Sequence, residues 1–256
     1  MKKLLVTLAT SSLLIASVFG TASAQDDDSS VSAVPVELYI CSYADGRGVD
    51  DLATVNAAWN TWADGRGMDN YSVWILEKFY AGPEQDFDYI WLGVAPTAKE
   101  MGAIQDDWRA NSGDLDAEFE KVGPCDAHSN FASVNFKQPP QNDNPPDNIV
   151  LSFSDCSVAD GKSFDDVATA ITAWTADLTE QGSASGHWLL FPVYGGGGED
   201  FDFKWVVGHD THVAQGVDWD NYNVDLATEL FDDLLDCDSA RVYNATNIRR
   251  AESNGD

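Results

Sequence analysis

The chain has 256 residues, and its 43 Asp and Glu against 14 Lys and Arg give a formal net charge of −29. Such an acidic chain disfavours nucleic acid and anionic membranes as partners, because both carry the same sign of charge. The excess is typical of proteins whose solvated surface is screened by salt. A dedicated cation-binding role is the alternative interpretation.

The first 24 residues have the three parts of a secretory signal. Lys2 and Lys3 precede an apolar stretch from Leu4 to Phe19, and small residues end the segment at Ala24. We expect cleavage near Ala24 and a secreted or periplasmic mature protein. A membrane anchor fits less well, because the apolar stretch is shorter than the roughly 20 residues of a membrane span. No later segment predicts a protein embedded in a membrane.

The remaining chain repeats its landmarks in order. A Cys-Ser-x-Ala-Asp-Gly segment begins at Cys41 and again at Cys156, and a Cys-Asp pair closes each copy. Three tryptophans between these ends recur at matching distances: Trp59, Trp74 and Trp91 in the first copy, Trp174, Trp188 and Trp205 in the second. A period of roughly 115 residues is too long for a solenoid repeat, so each copy is expected to be a domain-sized module.

Composition sets the boundaries of these modules. Residues 25–35 are polar and acidic, which is typical of disorder, and residues 137–148 carry four prolines, which predicts a linker. The predicted organisation is therefore a signal at 1–24, a disordered acidic segment at 25–35, module 1 at 36–136, the Pro-rich linker at 137–148, module 2 at 149–250 and a tail at 251–256.

Hydrophobic periodicity predicts the same element order in both copies. In the first, strands at 36–43, 71–80, 86–94 and 129–136 alternate with helices at about 50–63 and 97–122, the latter broken near residue 112. In the second, strands at 149–155, 187–194, 200–207 and 240–246 alternate with helices at 165–179 and about 221–236. The order β-α-β-β-α-β is that of the ferredoxin-like split β-α-β unit.

Export determines how the four cysteines are interpreted. Thiols in an oxidising compartment tend to pair, and four cysteines allow three connectivities. The duplication favours Cys41–Cys125 and Cys156–Cys237, each closing a loop of roughly 80 residues and contributing on the order of 4 kcal/mol. A metal site fits poorly, because no two cysteines have CxxC spacing.

Two such modules in tandem resemble the dimeric α/β-barrel superfamily. The resemblance implies an α+β fold in which two tandem ferredoxin-like β-α-β-β-α-β modules pack as a pseudo-dimeric α/β barrel. The modules would then pair within the chain. Members of the superfamily include cofactor-independent monooxygenases, haem-handling enzymes, isomerases and proteins without known chemistry, so the resemblance does not fix a reaction.

Aromatic side chains supply one candidate ligand site. Trp74 and Tyr80 alternate onto a common face of the second strand, as do Trp188 and Tyr194 in the other copy. In a barrel of facing sheets this face points inward. The four side chains would therefore line an apolar pocket between the sheets or simply fill it.

Two polar patterns are weaker candidates. His209, Asp210 and His212 lie just past a strand and have metal-ligating side chains, but their counterparts in the first copy have none. Carboxylates at 84–88 and 199–202 would suit a hard cation or an acidic turn, and their spacing lacks the calcium-loop pattern. We therefore predict no metal and no other cofactor.

The leading functional hypothesis is an exported protein that is non-catalytic or binds a small apolar or aromatic molecule between its two sheets. It follows from the absence of any repeated catalytic constellation. One alternative is a cofactor-independent oxygenase or isomerase of the dimeric α/β-barrel type, with His187, His209 or a pocket aspartate as base. Another is a structural or partner-binding protein of the cell envelope.

Overall fold

A computed structural model of the chain describes residues 33–140, 144–196 and 198–251. The predicted signal peptide at 1–24 lies outside these residues. Within them, no helix is both long enough and apolar enough to cross a membrane.

The described residues of the first half form four strands and three helices. They are β1 (Val34–Cys41), α1 (Val49–Asp64), β2 (Ser72–Tyr80), β3 (Tyr89–Val94), α2 (Ala98–Asn111), α3 (Asp114–Val122) and β4 (Cys125–Lys137). The predicted break in the long helical segment separates α2 from α3. Gly113 lies there with φ of 59°, a left-handed conformation that glycine adopts without steric cost.

The second half follows a related order. Its elements are β5 (Asn148–Val158), α4 (Phe164–Glu180), β6 (Gly186–Tyr194), β7 (Phe203–His209), α5 (His212–Asp220), α6 (Val224–Phe231), β8 (Leu235–Cys237) and β9 (Arg241–Arg249). The prediction of a single helix at about 221–236 was wrong. An additional helix, α5, precedes that segment, and the chain past Phe231 forms strand β8.

All strand pairings are antiparallel, and eight strands close into a barrel. The sheet order is β7-β6-β4-β1-β3-β2-β9-β5-β8, and a further pairing of β7 with β5 closes the ring. The two halves meet where β4 pairs with β6 and where β2 pairs with β9. The fold is therefore of the α+β class, with helices added to a closed antiparallel barrel.

Alternation along each strand separates the barrel interior from the helical layer. In β1, Val36 and Leu38 belong to the interior cluster, whereas Tyr39 and Cys41 pack with α1 to α3. The interior cluster is filled by large side chains from both halves, among them Leu76, Ile90, Phe131, Phe153, Leu190 and Tyr243. The space between the sheets is thus a packed core.

Two disulfide bonds each join neighbouring strands. Cys41 is bonded to Cys125 and Cys156 to Cys237, and in each case the two cysteines are direct cross-strand partners. These are the pairs expected from the duplication. Both bonds fit an oxidising, extracellular compartment.

The acidic hairpins have a structural role in both halves. Asp88 accepts a hydrogen bond from the backbone N–H of Tyr43 at 2.7 Å, and Asp202 accepts one from that of Val158, also at 2.7 Å. Each carboxylate thereby holds the chain near the end of the first strand of its half: Tyr43 lies two residues past β1, and Val158 is the last residue of β5. This equivalence favours the interpretation of these residues as acidic turns.

Candidate functional site

A cavity of about 420 Å³ lies in the first half, between the outer face of the sheet and helices α1 to α3. Its volume falls within the range typical of small-molecule sites. Eight aromatic rings line it: Tyr39, Trp59, Trp62, Tyr71, Tyr89, Trp91, Trp108 and Phe119. The polar groups in the lining are chiefly Glu37, Gln105, Asp116, Glu120, Asp126 and His128.

The carboxylate of Glu37 lies at the floor of this cavity and is 1% exposed. Tyr71 donates its hydroxyl to Oε1, and Gln105 donates Nε2–H to Oε2 at 2.6 Å. His128 Nε2 lies 2.9 Å from the same Oε2. An ionised carboxylate is an acceptor only, so the three donors satisfy it, and no Lys or Arg among the described residues pairs with it.

Tyr71 reaches Glu37 because glycine occupies the strand between them. Gly93 of β3 is the cross-strand partner of both Glu37 in β1 and Val73 in β2. A Cβ atom at position 93 would lie 1.9 Å from the Tyr71 hydroxyl oxygen. The phenol thus crosses β3 directly above a residue that has no side chain.

His128 links the buried carboxylate to the open side of the cavity. Its side chain is 42% exposed, and its ring stacks on Tyr39 with the centroids 3.7 Å apart. A carboxylate accepts but cannot donate, so the bond to Glu37 places a proton on Nε2 and leaves the Nδ1 lone pair as a proton acceptor. Glu37 and His128 form a carboxylate–imidazole pair of the kind used in general base catalysis.

The phenols beside this pair stay neutral. Burial, followed by the charge of Glu37, raises the pKa of Tyr39 above its ordinary value, and the same two causes raise the pKa of Tyr71. Both hydroxyls therefore act as donors near neutral pH. Tyr71 also accepts a hydrogen bond from the indole of Trp91 at 3.2 Å, which fixes its orientation.

The aromatic walls meet at right angles. Trp59 and Trp91 are edge to face with centroids 4.8 Å apart, and Trp62 and Trp108 are arranged likewise at 5.1 Å. Phe119 packs edge-on against both Trp91 and Trp108. Such contacts are favourable for aromatic pairs, and they turn the faces of successive rings in different directions around the cavity.

The second half lacks this arrangement. Counted from the equivalent cysteine, Ser152 occupies the place of Glu37, and counted from the equivalent tryptophan, Ser185 occupies that of Tyr71. Trp205 donates its indole N–H to His187 Nδ1 at 3.2 Å, and His187 Nε2 lies 3.0 Å from Ser185 Oγ. Burial, together with the charge of Lys137, lowers the pKa of His187 to about 3. His187 is thus a neutral, fully bonded core residue.

The aromatic residues predicted to bind a ligand lie elsewhere. Trp74 and Trp188 pack against the cluster inside the barrel. Tyr80 and Tyr194 lie at the ends of their strands and are mostly exposed. None of the four lines the cavity described above.

The three weak metal candidates are not brought together. His209 is buried with Nε2 3.0 Å from Asp218, whereas His212 is exposed with Nε2 2.8 Å from Asn244. Asp210 is exposed. Over the residues that the structure describes, no group of three His, Cys, Asp or Glu side chains converges as metal ligands.

Sequence reasoning missed Glu37, Gln105 and His128. They come from β1, α2 and β4, far apart in the chain, and none is repeated in the second copy. The alternation of side chains along strand β1 was the one signal that could have indicated Glu37. Residues two apart lie on the same face of a strand, so Glu37 shares a face with Tyr39 and Cys41, and the helices bury that face.

Comparisons with known proteins identify the fold. No family model and no curated protein matches the chain. Among solved structures, an anthrone oxidase-like protein is 8% identical with a TM-score of 0.51, covering 88% of this chain and 97% of its own. A monooxygenase candidate from Lactobacillus acidophilus is 9% identical with a TM-score of 0.53, covering 85% and 94%. A mutant chlorite dismutase from Candidatus Nitrospira defluvii is 9% identical with a TM-score of 0.51, covering 85% and 92%.

These likenesses support the fold-level resemblance to the dimeric α/β-barrel proteins. They also correct the leading functional hypothesis. The expectation of a non-catalytic protein, or of a small apolar ligand held between the two sheets, is wrong: the similar structures carry the names of oxidases, monooxygenases and dismutases, and the barrel interior is packed.

The lining of the large cavity does not suit a haem. Of the four histidines, only His128 lines this cavity, and its Nε2 is bonded to Glu37 while its ring face is covered by Tyr39. Nδ1, the ring nitrogen next to the Cβ attachment, is therefore the one left for an axial bond. The haem propionates would also meet carboxylates rather than cationic side chains among the lining residues. A second depression contains no histidine, being lined by Val158, Lys162, Phe164, Phe191 and Asp202.

Proposed function

We propose that the protein is a cofactor-independent oxygenase whose active site is the aromatic cavity of the first half. The observation that carries the proposal is the buried carboxylate of Glu37 bonded to His128 at the floor of a cavity of about 420 Å³. The names of the similar structures support oxygen chemistry on this fold. The expected substrate is a flat aromatic molecule with an acidic C–H bond, as in an anthrone.

The chemistry needs a base and molecular oxygen. His128 Nδ1 removes a proton from the acidic carbon, and the imidazolium that forms is stabilised by the adjacent carboxylate of Glu37. The carbanion transfers electrons to O₂, a carbon–oxygen bond forms, and the proton on His128 passes to the outer peroxide oxygen to give the hydroperoxide R₂CH–OOH. His128 then removes the second C–H proton, the O–O bond breaks, and the same proton is delivered to the departing hydroxide. R₂CH₂ and O₂ thus yield R₂C=O and H₂O, and His128 is left neutral.

The candidate base differs from the histidines that the sequence suggested. The sequence offered His187, His209 or a pocket aspartate, but both histidines lie in a buried network of the second half and do not line the cavity. Burial lowers the pKa of His209 as well, against the opposing effect of Asp218. Neither imidazole is available to a substrate.

The fold is consistent with two further proposals, a tandem duplication of one module and export of the protein. The strand orders β4-β1-β3-β2 and β9-β5-β7-β6 support two tandem ferredoxin-like modules. The two disulfides support a secreted or periplasmic protein, with the signal removed near Ala24.

Oxygen uptake with anthrone as the probe tests the function. Wild-type protein should consume O₂ and form anthraquinone, and His128→Gln should lower kcat by about 10²- to 10⁴-fold because the base is lost. Glu37→Gln should do the same, since an amide facing His128 can donate to Nε2 and favours the tautomer with the proton on Nδ1. His212→Gln is the matched control, because His212 is exposed and outside the cavity. Unchanged rates in both cavity variants would overturn the proposal.

A further inference from the structure

The charges around the cavity indicate which sign of charge the substrate carries. Three exposed carboxylates, Asp116, Glu120 and Asp126, line it in addition to Glu37, and no Lys or Arg of the described chain does. The phenols in the lining add no charge. The cavity is therefore negative from its mouth to its floor, and it repels anions.

The buried carboxylate adds to this negative potential. Glu37 has hydrogen bonds from Tyr71, Gln105 and His128. A buried charge is costly, and a cation offsets part of that cost even at a distance in a cavity of low polarity. A positively charged ligand at the mouth would therefore be favoured by the exposed carboxylates directly and by Glu37 at a distance.

The rings are suited to the same ligand. Arg66 lies 6.0 Å from the ring centroid of Trp62, and Arg249 lies 5.8 Å from that of Trp59. Each guanidinium is also paired with a carboxylate. Neither arginine lines the cavity. Several aromatic faces set at right angles, with carboxylates beside them, form the type of site that binds substituted ammonium ions.

We propose that the substrate is an organic cation, an aromatic molecule that carries a substituted ammonium group. The ammonium lies at the mouth among Trp108, Phe119 and the carboxylates of Asp116 and Glu120. These rings are half-buried and these carboxylates exposed, whereas Glu37 and Tyr71 are buried at the floor. The acidic end of the molecule then reaches Glu37 and His128. The placement of the acidic C–H bond beside Glu37 and His128 rests on the proposed function. Binding of the ammonium group can be measured without turnover.

Three isosteric phenols test the proposal by calorimetric titration of the wild-type protein. They are 4-hydroxyphenyltrimethylammonium, the neutral 4-tert-butylphenol and the anionic 4-hydroxybenzenesulfonate. Titrations in 1 M NaCl reduce the screening length to about 3 Å, which removes the long-range field of the acidic surface. We expect the cation to bind about tenfold more tightly than its neutral isostere, and the sulfonate to bind more weakly than either.

Variants test which carboxylates cause the tighter binding of the cation. The double variant Asp116→Asn with Glu120→Gln should reduce the cation preference severalfold, with affinity for 4-tert-butylphenol unchanged. Glu118→Gln is the matched control, because it lies on the same helix, pairs with Lys121 and does not line the cavity. Equal affinities for the cation and 4-tert-butylphenol in the wild type would overturn the inference, as would an undiminished preference in the double variant.

The two proposals fail separately. Oxidation of anthrone without any preference for the cation would refute the ammonium site and leave the oxygenase intact. A cation preference in a protein that does not oxidise anthrone would refute the oxygenase and leave the binding site intact.

Discussion

The hydroxyl of Tyr71 donates a hydrogen bond to Glu37 across the whole width of strand β3. The bond passes above Gly93, the residue paired with Glu37 in the sheet. Glu37, Tyr71 and Gly93 thus form one unit on the face of the sheet that the helices cover. Tyr71 holds the buried carboxylate of Glu37, and Gly93 leaves room for the phenol. The fold positions the proposed catalytic pair through this unit.

Gly93→Ala tests that unit. The new methyl group would overlap the Tyr71 hydroxyl, and both residues are enclosed, so the phenol must move away from Glu37. We expect a stability loss of about 1 to 3 kcal/mol in urea unfolding and a substantial loss of anthrone oxidation. Gly102→Ala in α2 is the control, because its added Cβ meets nothing. It should be neutral or stabilising by up to about 1 kcal/mol. Full activity in Gly93→Ala would show that Tyr71 does not position Glu37.

The two disulfides should differ in their effect on activity. Each closes a loop of about 80 residues, so replacing either pair with serine should cost on the order of 2 to 5 kcal/mol in urea unfolding. Cys41 and Cys125 line the cavity, whereas Cys156 and Cys237 do not. Removal of the first pair should therefore lower oxidation in the folded protein, and removal of the second should leave it intact. Equal losses of activity would contradict a site confined to the first half.

Because His187 is buried and neutral, we expect the folded protein to lose stability in acid. Its pKa is about 3 in the folded protein against about 6.5 when unfolded, so between these values the unfolded chain binds the extra proton. Its contribution to stability is complete above pH 6.5 and is lost as the pH falls towards 3. His187→Gln does not titrate in this range, and it should reduce the slope of unfolding free energy by up to about 1.4 kcal/mol per pH unit between pH 4 and 6. His212→Gln should keep the wild-type slope, and a similar slope in His187→Gln would show that another group causes the acid sensitivity.

The fold was largely predictable from the sequence because its signals are repeated. Matching cysteines and tryptophans predicted two copies, and hydrophobic periodicity predicted four long strands in each half of the chain. Helix α5 was missed because none of its residues is buried, so no apolar stripe marks it. Asn223, whose side chain accepts a hydrogen bond from the backbone of Leu226, begins the helix that was predicted too long.

The candidate site was not predictable in the same way. Duplication draws attention to what both copies share, and these residues mostly serve packing, disulfides and turns. Glu37, Gln105 and His128 occur in one copy only, and tertiary contacts between β1, α2 and β4 bring them together. A single acidic residue in a strand resembles a surface position until the helix that covers it is known.

Isotope labelling gives the most direct test of the central claim. Protein treated with a chelator and shown by its absorption spectrum to be free of haem and flavin should oxidise anthrone under ¹⁸O₂. The account predicts anthraquinone carrying one ¹⁸O atom at the new carbonyl, formed by the wild type and His212→Gln but only at background rate by His128→Gln. Absence of the label, or dependence of the reaction on an added metal or haem, would contradict a cofactor-independent oxygenase in this cavity.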